Sequence, residues 1–397
     1  VYGILLLLLI YVVFKFTAQR GLDTSLDESK SKYKVAHWIQ EVARSIVSFK
    51  LSGKTSHALD KNDTLVVGYL NARESHFRVL VLQFIQMIGF KVLVTGGLLL
   101  IGGLLVLNQE MNIGQFVAAE IIILLVINSV EKLILGLETF YDLLTSLEKM
   151  GQVVDKELEP QEGEKPFMEN QSFTIELSDI SYSVPEPKRE IISHLDLTIT
   201  PNCTILLRGK SGSGKNTLLR IIAGILEPDS GGVYVNGVSL KGMNLNYYRS
   251  HLGQSLPEES PFEGTILNNI TFGDKDTTNE QVYWALDKVG LTEFVKKQPD
   301  GLNTVLYPEG KQIPHTISKK IVLARSIVRK PKLLILKDPL DQFNSEEADR
   351  ILNFLSDSSN GWALLVVSEN DKWIKKCSRI ITMDKGRIIN EIEGKDA

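Results

Sequence analysis

The sequence predicts a multi-domain chain, with an all-α transmembrane half followed by a soluble α/β half. Three observations predict it. Long apolar runs are confined to residues 1–150, short alternating segments begin after residue 170, and a glycine-rich stretch, RGKSGSGKNTLLRIIAG, stands at Arg208–Gly224 between a strand-like and a helix-like run. A length of 397 residues accommodates two or three domains.

The apolar runs are Tyr2–Phe16, Val79–Leu107 and Phe116–Leu137. A spanning helix takes about 20 mostly apolar residues. The last two runs are long enough, and the first would be with a few residues restored upstream. The chain begins at Val1 rather than Met, and its charges Lys15 and Arg20 follow the apolar run, the reverse of a signal peptide. The expectation is a membrane helix cut at its start, in a chain that is a fragment. Glu120 and Glu131 lie in the third run, where an acid is either functional or placed at the interface. Gly96, Gly97, Gly102 and Gly103 would let helices approach closely. NQEMNIG, 108–114, suits a tight loop between two spans.

Residues 17–78 are polar but periodic. KVAHWIQEVARSIVSFK and LDKNDTLVVGYLNARESHFRVLVLQF each carry one apolar stripe, which predicts long helices continuing the spans. LSGKTSH, 51–57, interrupts them and would form the tip of the projection.

The charge balance is nearly even, 44 basic against 48 acidic residues, so no large basic surface for nucleic acid is expected. Cys203 and Cys377 provide no disulfide framework and fit a reducing compartment. Neither they nor the scattered histidines have metal-ligand spacing, so no metal-ligating residues are assigned.

QVVDKELEPQEGEKP, 152–166, is acidic and holds Pro160, Gly163 and Pro166, and it reads as a linker. SFTIELSDISYSV, IISHLDLTI and CTILLRG then read as strands. The expected domains are 1–151 in the membrane, the linker 152–166, and a nucleotide-binding domain at 167–397.

The phosphate-loop pattern G-x-x-x-x-G-K-[ST] is met at Gly209, Gly214 and Lys215, with Gly212 between them. It fails only at Asn216, which is followed by Thr217. A loop between a strand, TILLR, and a helix, NTLLRIIAGI, turns backbone N–H groups and the positive helix end toward phosphates. Gly209, Lys210, Ser211, Gly212, Ser213, Gly214, Lys215, Asn216 and Thr217 are therefore the expected nucleotide-binding residues. Lys215 would reach the β and γ phosphates.

Further segments resemble the C-terminal part of a type I ABC exporter, a membrane domain fused to a nucleotide-binding domain. These are EVARSIVSFK at Glu41–Lys50, GQFVAAEIII, GILEPDSGGVYVNG at 224–237, EGTILNNITFG at 263–273 and ARSIVRKPKLLIL at 324–336. The resemblance covers nearly the whole chain. It implies that the three spans are the last of six and that the break near Ser52–Ser56 is a coupling helix. It implies that Tyr182 stacks on adenine, although an ordinary strand tyrosine fits as well. It also implies ATP as cofactor, a second exporter half as partner in a homodimer or heterodimer, and a lipid bilayer around the spans. The expected location is a bacterial inner membrane, with the nucleotide domain in the cytoplasm.

The residues that the family uses for hydrolysis are changed. In LLILKDPLDQ, 333–342, Lys337 takes the place of the magnesium-holding Asp and Asp338 that of the catalytic Glu. A protonated lysine offers no lone pair to a metal. Asp is one methylene shorter than Glu, and a misplacement of about 1 Å costs roughly a hundredfold in rate. Pro257 stands at the magnesium-binding Gln, with Gln254 three residues away. The signature LSGGQ becomes IPHTI at Ile313–Ile317, before a helix expected from KKIVLARSI. Glu369 replaces the switch histidine and would repel a γ-phosphate. Magnesium is therefore doubtful, and hydrolysis is expected to be weak or lost. Lys337's ammonium is positioned to replace the metal's charge. Two functions stay open, an ATP-binding exporter subunit and a non-hydrolysing scaffold or regulatory pseudo-transporter. The transported substrate is not readable.

Overall fold

The computed structural model describes residues 2–53, 55–166 and 173–394; the side chains of 2–10, 12–14, 16–18, 133 and 135 fall outside that description. The chain divides into two compact units, Val1–Leu158 and Glu159–Ala397.

The first unit is four helices, α1 (Tyr2–Arg44), α2 (Ile46–Leu51), α3 (His57–Leu107) and α4 (Ile113–Val154). α3 and α4 are each long and apolar enough to cross a membrane. At 1.5 Å per residue α3 is about 75 Å long, more than twice the hydrocarbon thickness, so it also projects beyond a bilayer. The expected run Tyr2–Phe16 opens α1, but apart from Tyr11 and Lys15 its side chains lie outside the described residues, as does Val1.

One stripe of α3 is buried: Val79, Gln83, Met87, Phe90, Val94, Leu98 and Gly102, spaced three or four apart. Phe90 and Val94 pack on Ile127 and Val130 of α4. Leu93, Leu100, Ile122 and Leu125 are 60–71% exposed, apolar surface that suits lipid rather than water. α4 starts sharply because Asn112 and Gln115 form a reciprocal capping box. Polar pairs tie the helices together. Gln83 donates to Tyr141 Oη at 2.9 Å, Thr24 meets His76 Nδ1 at 2.9 Å, and Ser25 meets Thr145 at 3.0 Å.

The coupling-helix position and the linker need correction, and the glycines and Glu131 find their packing. The short helix is α2, Ile46–Leu51, which precedes the break at Ser52–Ser56 instead of occupying it. Ser56 hydrogen-bonds Asp60, and α3 restarts at His57. Of the glycines, Gly102 lies against the Phe116 ring, whereas Gly96 and Gly103 face open space. Glu131 has a partner across the helix pair, Lys91, at 3.0 Å. The linker 152–166 is shorter and partly docked: α4 continues through Val154, and Glu159 already belongs to the second unit. The reason is charge. Glu159 is bound bidentately by Arg249 at 2.5 and 2.7 Å, and Glu164 bridges Met243.

The second unit is described from Phe173, so its expected start at 167–172 lies outside the described residues. It opens with β1 (Ile175–Val184), β2 (Arg189–Ile199), β3 (Thr204–Arg208), α5 (Lys215–Ile222), β4 (Ser230–Val235) and β5 (Val238–Ser239). Next come α6 (Leu245–Ser250), β6 (Leu252–Ser255), β7 (Gly264–Thr265), α7 (Ile266–Thr271), α8 (Asn279–Val289), α9 (Thr292–Lys296) and β8 (Val305–Leu306). It ends with α10 (His315–Ile327), β9 (Leu333–Lys337), α11 (Ser345–Leu355), β10 (Ala363–Val367), β11 (Arg379–Asp384) and β12 (Arg387–Glu393).

Two sheets organise it, an antiparallel one ordered β2-β1-β4-β5 and a larger one ordered β12-β11-β3-β10-β9-β6. Strands β11, β3, β10, β9 and β6 run parallel. The central strands TILLR, LLILK and ALLVV are continuous apolar runs because both faces are covered. One core joins the small sheet to α5, and a second packs α7, α8, α10 and α11 on the other face. Ligands bind such sheets beyond the carboxyl ends of the strands. That edge holds Arg208, Lys337 and the turn after Val367, because Val367 pairs with both Leu207 and Lys337.

Candidate nucleotide site

The loop after β3 turns on glycines at positive φ. Gly214 has φ 100° and caps α5, and a side chain there would meet the Ile191 carbonyl and Ile192 at 2.9 Å. Only glycine fits that backbone and that gap. The loop is pinned from outside, with Gly386 N–H donating to Ser213 O at 3.0 Å. The first turn of α5 has N–H groups without intrahelical acceptors, the arrangement that receives phosphate. Lys210, Ser211, Gly212 and Asn216 are exposed, Gly209, Lys215 and Thr217 are half-buried, and Ser213 and Gly214 are buried.

Lys215 donates to the carbonyls of Gly209 and Lys210 and to Ser213 Oγ, the latter two at 3.0 and 3.3 Å. An incoming phosphate would take over these bonds. Burial pulls the Lys215 ammonium below the ordinary lysine range. The positive charge of Lys337 acts the same way, against Glu369 and Asp338. Charges at the end of β9 and in the turn after β10 thus act on the phosphate-loop lysine.

Glu369 does not stand free. It lies 3.6 Å from Arg208 Nε, accepts from Gly209 N–H at 3.4 Å, and has Asp371 as a second acid on Arg208 at 3.1 Å. Asp338 has φ 45°, a left-handed backbone uncommon outside glycine. Its N–H bonds Val367 O at 2.8 Å. Burial raises its carboxyl above the ordinary aspartate range and Asp341 adds to that, opposed by Lys337, a Ser368 hydrogen bond and Lys319. Asp338 and Lys337 line a cleft of about 270 Å³ together with Pro257, His315 and Lys319.

The segment IPHTI is placed differently from the expectation. α10 already begins at His315, with Pro314 as its cap, so the stretch enters the helix instead of preceding it. Pro314 has a non-helical ψ of 143°, so the helix begins immediately after it. Pro314 and His315 are exposed at that start. Gln254 lies within β6, paired with Ile335, and is held in the sheet instead of replacing Pro257. Tyr182 lies in β1 opposite Ile192, and its ring is partly buried against the first core.

The donors present do not fit a magnesium ion. Lys337 and Pro257 offer it nothing, and Asn216 offers one neutral amide. Among the described residues, no group of three His, Cys, Asp or Glu side chains is placed to hold a metal. Sequence reasoning missed Arg208 and Ser368, which hold Glu369 and Asp338. An arginine closing the apolar run TILLR was the available signal for the first.

Strand, phosphate loop and helix at this sheet edge define a nucleotide-binding domain of the ABC transporter class. Residues 192–341 match the ABC transporter family model. That domain belongs to the ABC transporter family, and the chain as a whole has the fold of an ABC exporter. It aligns over its full length with a bacterial Atm1-family ABC exporter solved with ATP bound, at TM-score 0.86 and 16% identity, covering 69% of that chain. An export ATP-binding/permease protein of Rickettsia bellii is 25% identical over 96% of this chain and 64% of its own length. An ABC multidrug transporter of Trichophyton interdigitale is 32% identical over 59% of this chain and 18% of its own. An ATP-dependent lipid A-core flippase of Bordetella avium is 28% identical over 62% of this chain and 42% of its own. The chain thus spans between about a fifth and two thirds of the length of these curated relatives.

Proposed function

We propose that the chain is part of an ABC exporter whose nucleotide domain binds ATP at Gly209–Thr217 and has lost efficient hydrolysis. One observation carries the reading. A phosphate loop with its glycines and Lys215 in place shares its edge with Lys337 and Asp338, where metal-bound hydrolysis needs two correctly spaced acids. Binding uses the loop's backbone and Lys215, whereas hydrolysis uses the residues that are changed. Tyr182 is the adenine contact in this reading, at the strand pair that backs Gly214.

The functional unit is a dimer with a second exporter half, identical or different. The spans lie in a lipid bilayer, and the nucleotide domain is on the cytoplasmic side of a bacterial inner membrane. The Rickettsia relative, matched over nearly the whole chain, supports that layout. Pro314 and His315 at the start of α10 favour one alternative, a pseudo-transporter that senses nucleotide and regulates its partner. They remove the glycines through which the family brings backbone to a partner's phosphate.

The test is titration of the full chain in lipid nanodiscs with ATP, beside Lys215→Ala. Saturable binding is expected, weakened at least about tenfold by the substitution, because a charge-assisted hydrogen-bond donor is lost. Phosphate release is expected at the protein-free background. Sustained turnover would refute the loss of hydrolysis, and a complete lack of binding would leave only a scaffold.

A further inference from the structure

Lys337 is a charge of this site that no contact partner satisfies among the described residues. It is half-buried at the end of β9. Among the described residues its ammonium has neither a hydrogen bond nor a carboxylate within 4.0 Å. Lys215 is held by the loop's carbonyls and Glu369 by Arg208, and the nearest acid acting with Lys337 is Asp338, which is not in ion-pair contact with it. A half-buried ammonium without a hydrogen bond or a contacting carboxylate is under-satisfied, and an anion arriving beside it gains what the protein does not supply.

The substitution also has the right magnitude of charge. An acid at this position carries one negative charge and Lys337 carries one positive charge. The difference equals the double positive charge of the magnesium ion that the acid would hold. From the unpaired Lys337 beside the phosphate loop, and from the missing metal donors at Pro257 and Asn216, we propose that this site takes its nucleotide free of metal, with the Lys337 ammonium neutralising the terminal phosphates. The proposal rests on the reading that the loop binds nucleotide.

Register supports it. β9, β10 and β3 lie side by side, with Lys337 level with Val367 and Val367 level with Leu207, so Lys337 stands two strands from the phosphate-loop strand on the same edge. The Lys215 ammonium responds to the charge of Lys337, which places the two within electrostatic reach. Glu369 is the opposing charge, and its tether to Arg208 offsets it.

The experiment is binding of a fluorescent N-methylanthraniloyl-ATP to the full chain in nanodiscs, in EDTA and in excess magnesium. Affinity is expected to agree within about threefold between the two conditions. Lys337→Ala should weaken binding in EDTA about tenfold, the scale of one charge-assisted contact. Lys337→Arg should retain metal-free binding and so guards against misfolding, while Lys337→Asp should make binding depend on magnesium. Wild-type binding that disappears in EDTA, or Lys337→Ala binding unchanged in EDTA, would overturn the proposal while leaving nucleotide binding intact. Failure to bind in either condition would overturn both.

Discussion

Glu369 illustrates how one residue is defined by what holds it. By type it is a repulsive charge beside a phosphate, and by position it is drawn aside by Arg208 and the Gly209 N–H. Removing the charge without changing the shape separates the two effects. Glu369→Gln is expected to tighten ATP binding by up to about tenfold if the carboxylate faces the phosphates, since a like charge at close range costs on the order of 1 kcal/mol. The same nucleotide titration reads it, and an unchanged affinity would mean that the Arg208 tether already removes the carboxylate from the site. Arg208 itself was invisible in the sequence as a site residue. Its role depends on a partner 161 positions away, a separation that no local spacing encodes.

At the scale of elements, two packings carry predictions. β6 runs so close to α10 that a side-chain carbon at Gly253 would strike the Ser326 carbonyl and come within 2.8 Å of Leu334 and Pro331. Backbone cannot yield there, so Gly253→Ala is expected to destabilise the nucleotide unit by about 1–3 kcal/mol, read as a lower thermal midpoint. An unshifted midpoint would show that β6 has room to move. In the helical unit, Lys91 and Glu131 join α3 to α4 at 3.0 Å. Either residue alone would leave a charge on an apolar helix, at up to about 3 kcal/mol. Lys91→Gln and Glu131→Gln should each reduce the amount of folded protein in membranes, and the double variant should recover much of it. Additive losses in the double variant would argue against coupling. The helices themselves were legible from their apolar runs. The pairing of Glu131 was not, because periodicity describes one helix and not the face that a neighbour presents.

At the scale of the whole molecule, the first residues of the second unit are fastened within it by charge. A hydrogen bond from Arg249 holds the Glu159 carboxyl below the ordinary glutamate value of 4.5. The folded value is depressed, so the attachment is fully present above the unfolded value and fades as pH falls through the folded one. Hydrogen exchange at residues 159–164 should therefore be slow near neutrality and accelerate, beyond its intrinsic pH dependence, only below about pH 4.5. Glu159→Gln should show fast exchange already at neutral pH. Equal protection in both proteins would assign the docking to Glu164 and the surrounding backbone. The acidic composition had suggested a free linker, because a run of like charges reads as solvated until an arginine is found opposite it.

The sequence by itself determined the order of the two units, the two helices able to span a membrane, the break before residue 57, and the glycine loop between β3 and α5. Those features are written in contiguous residues, where apolar run length, helical period and glycine spacing act locally. Only the tertiary structure decided that Lys337 makes no ion-pair contact, that Glu369 makes one, that α10 starts inside IPHTI, and that Glu131 meets Lys91. Each depends on strand register or helix packing that joins distant parts of the chain, and burial then makes the presence or absence of a partner energetically decisive.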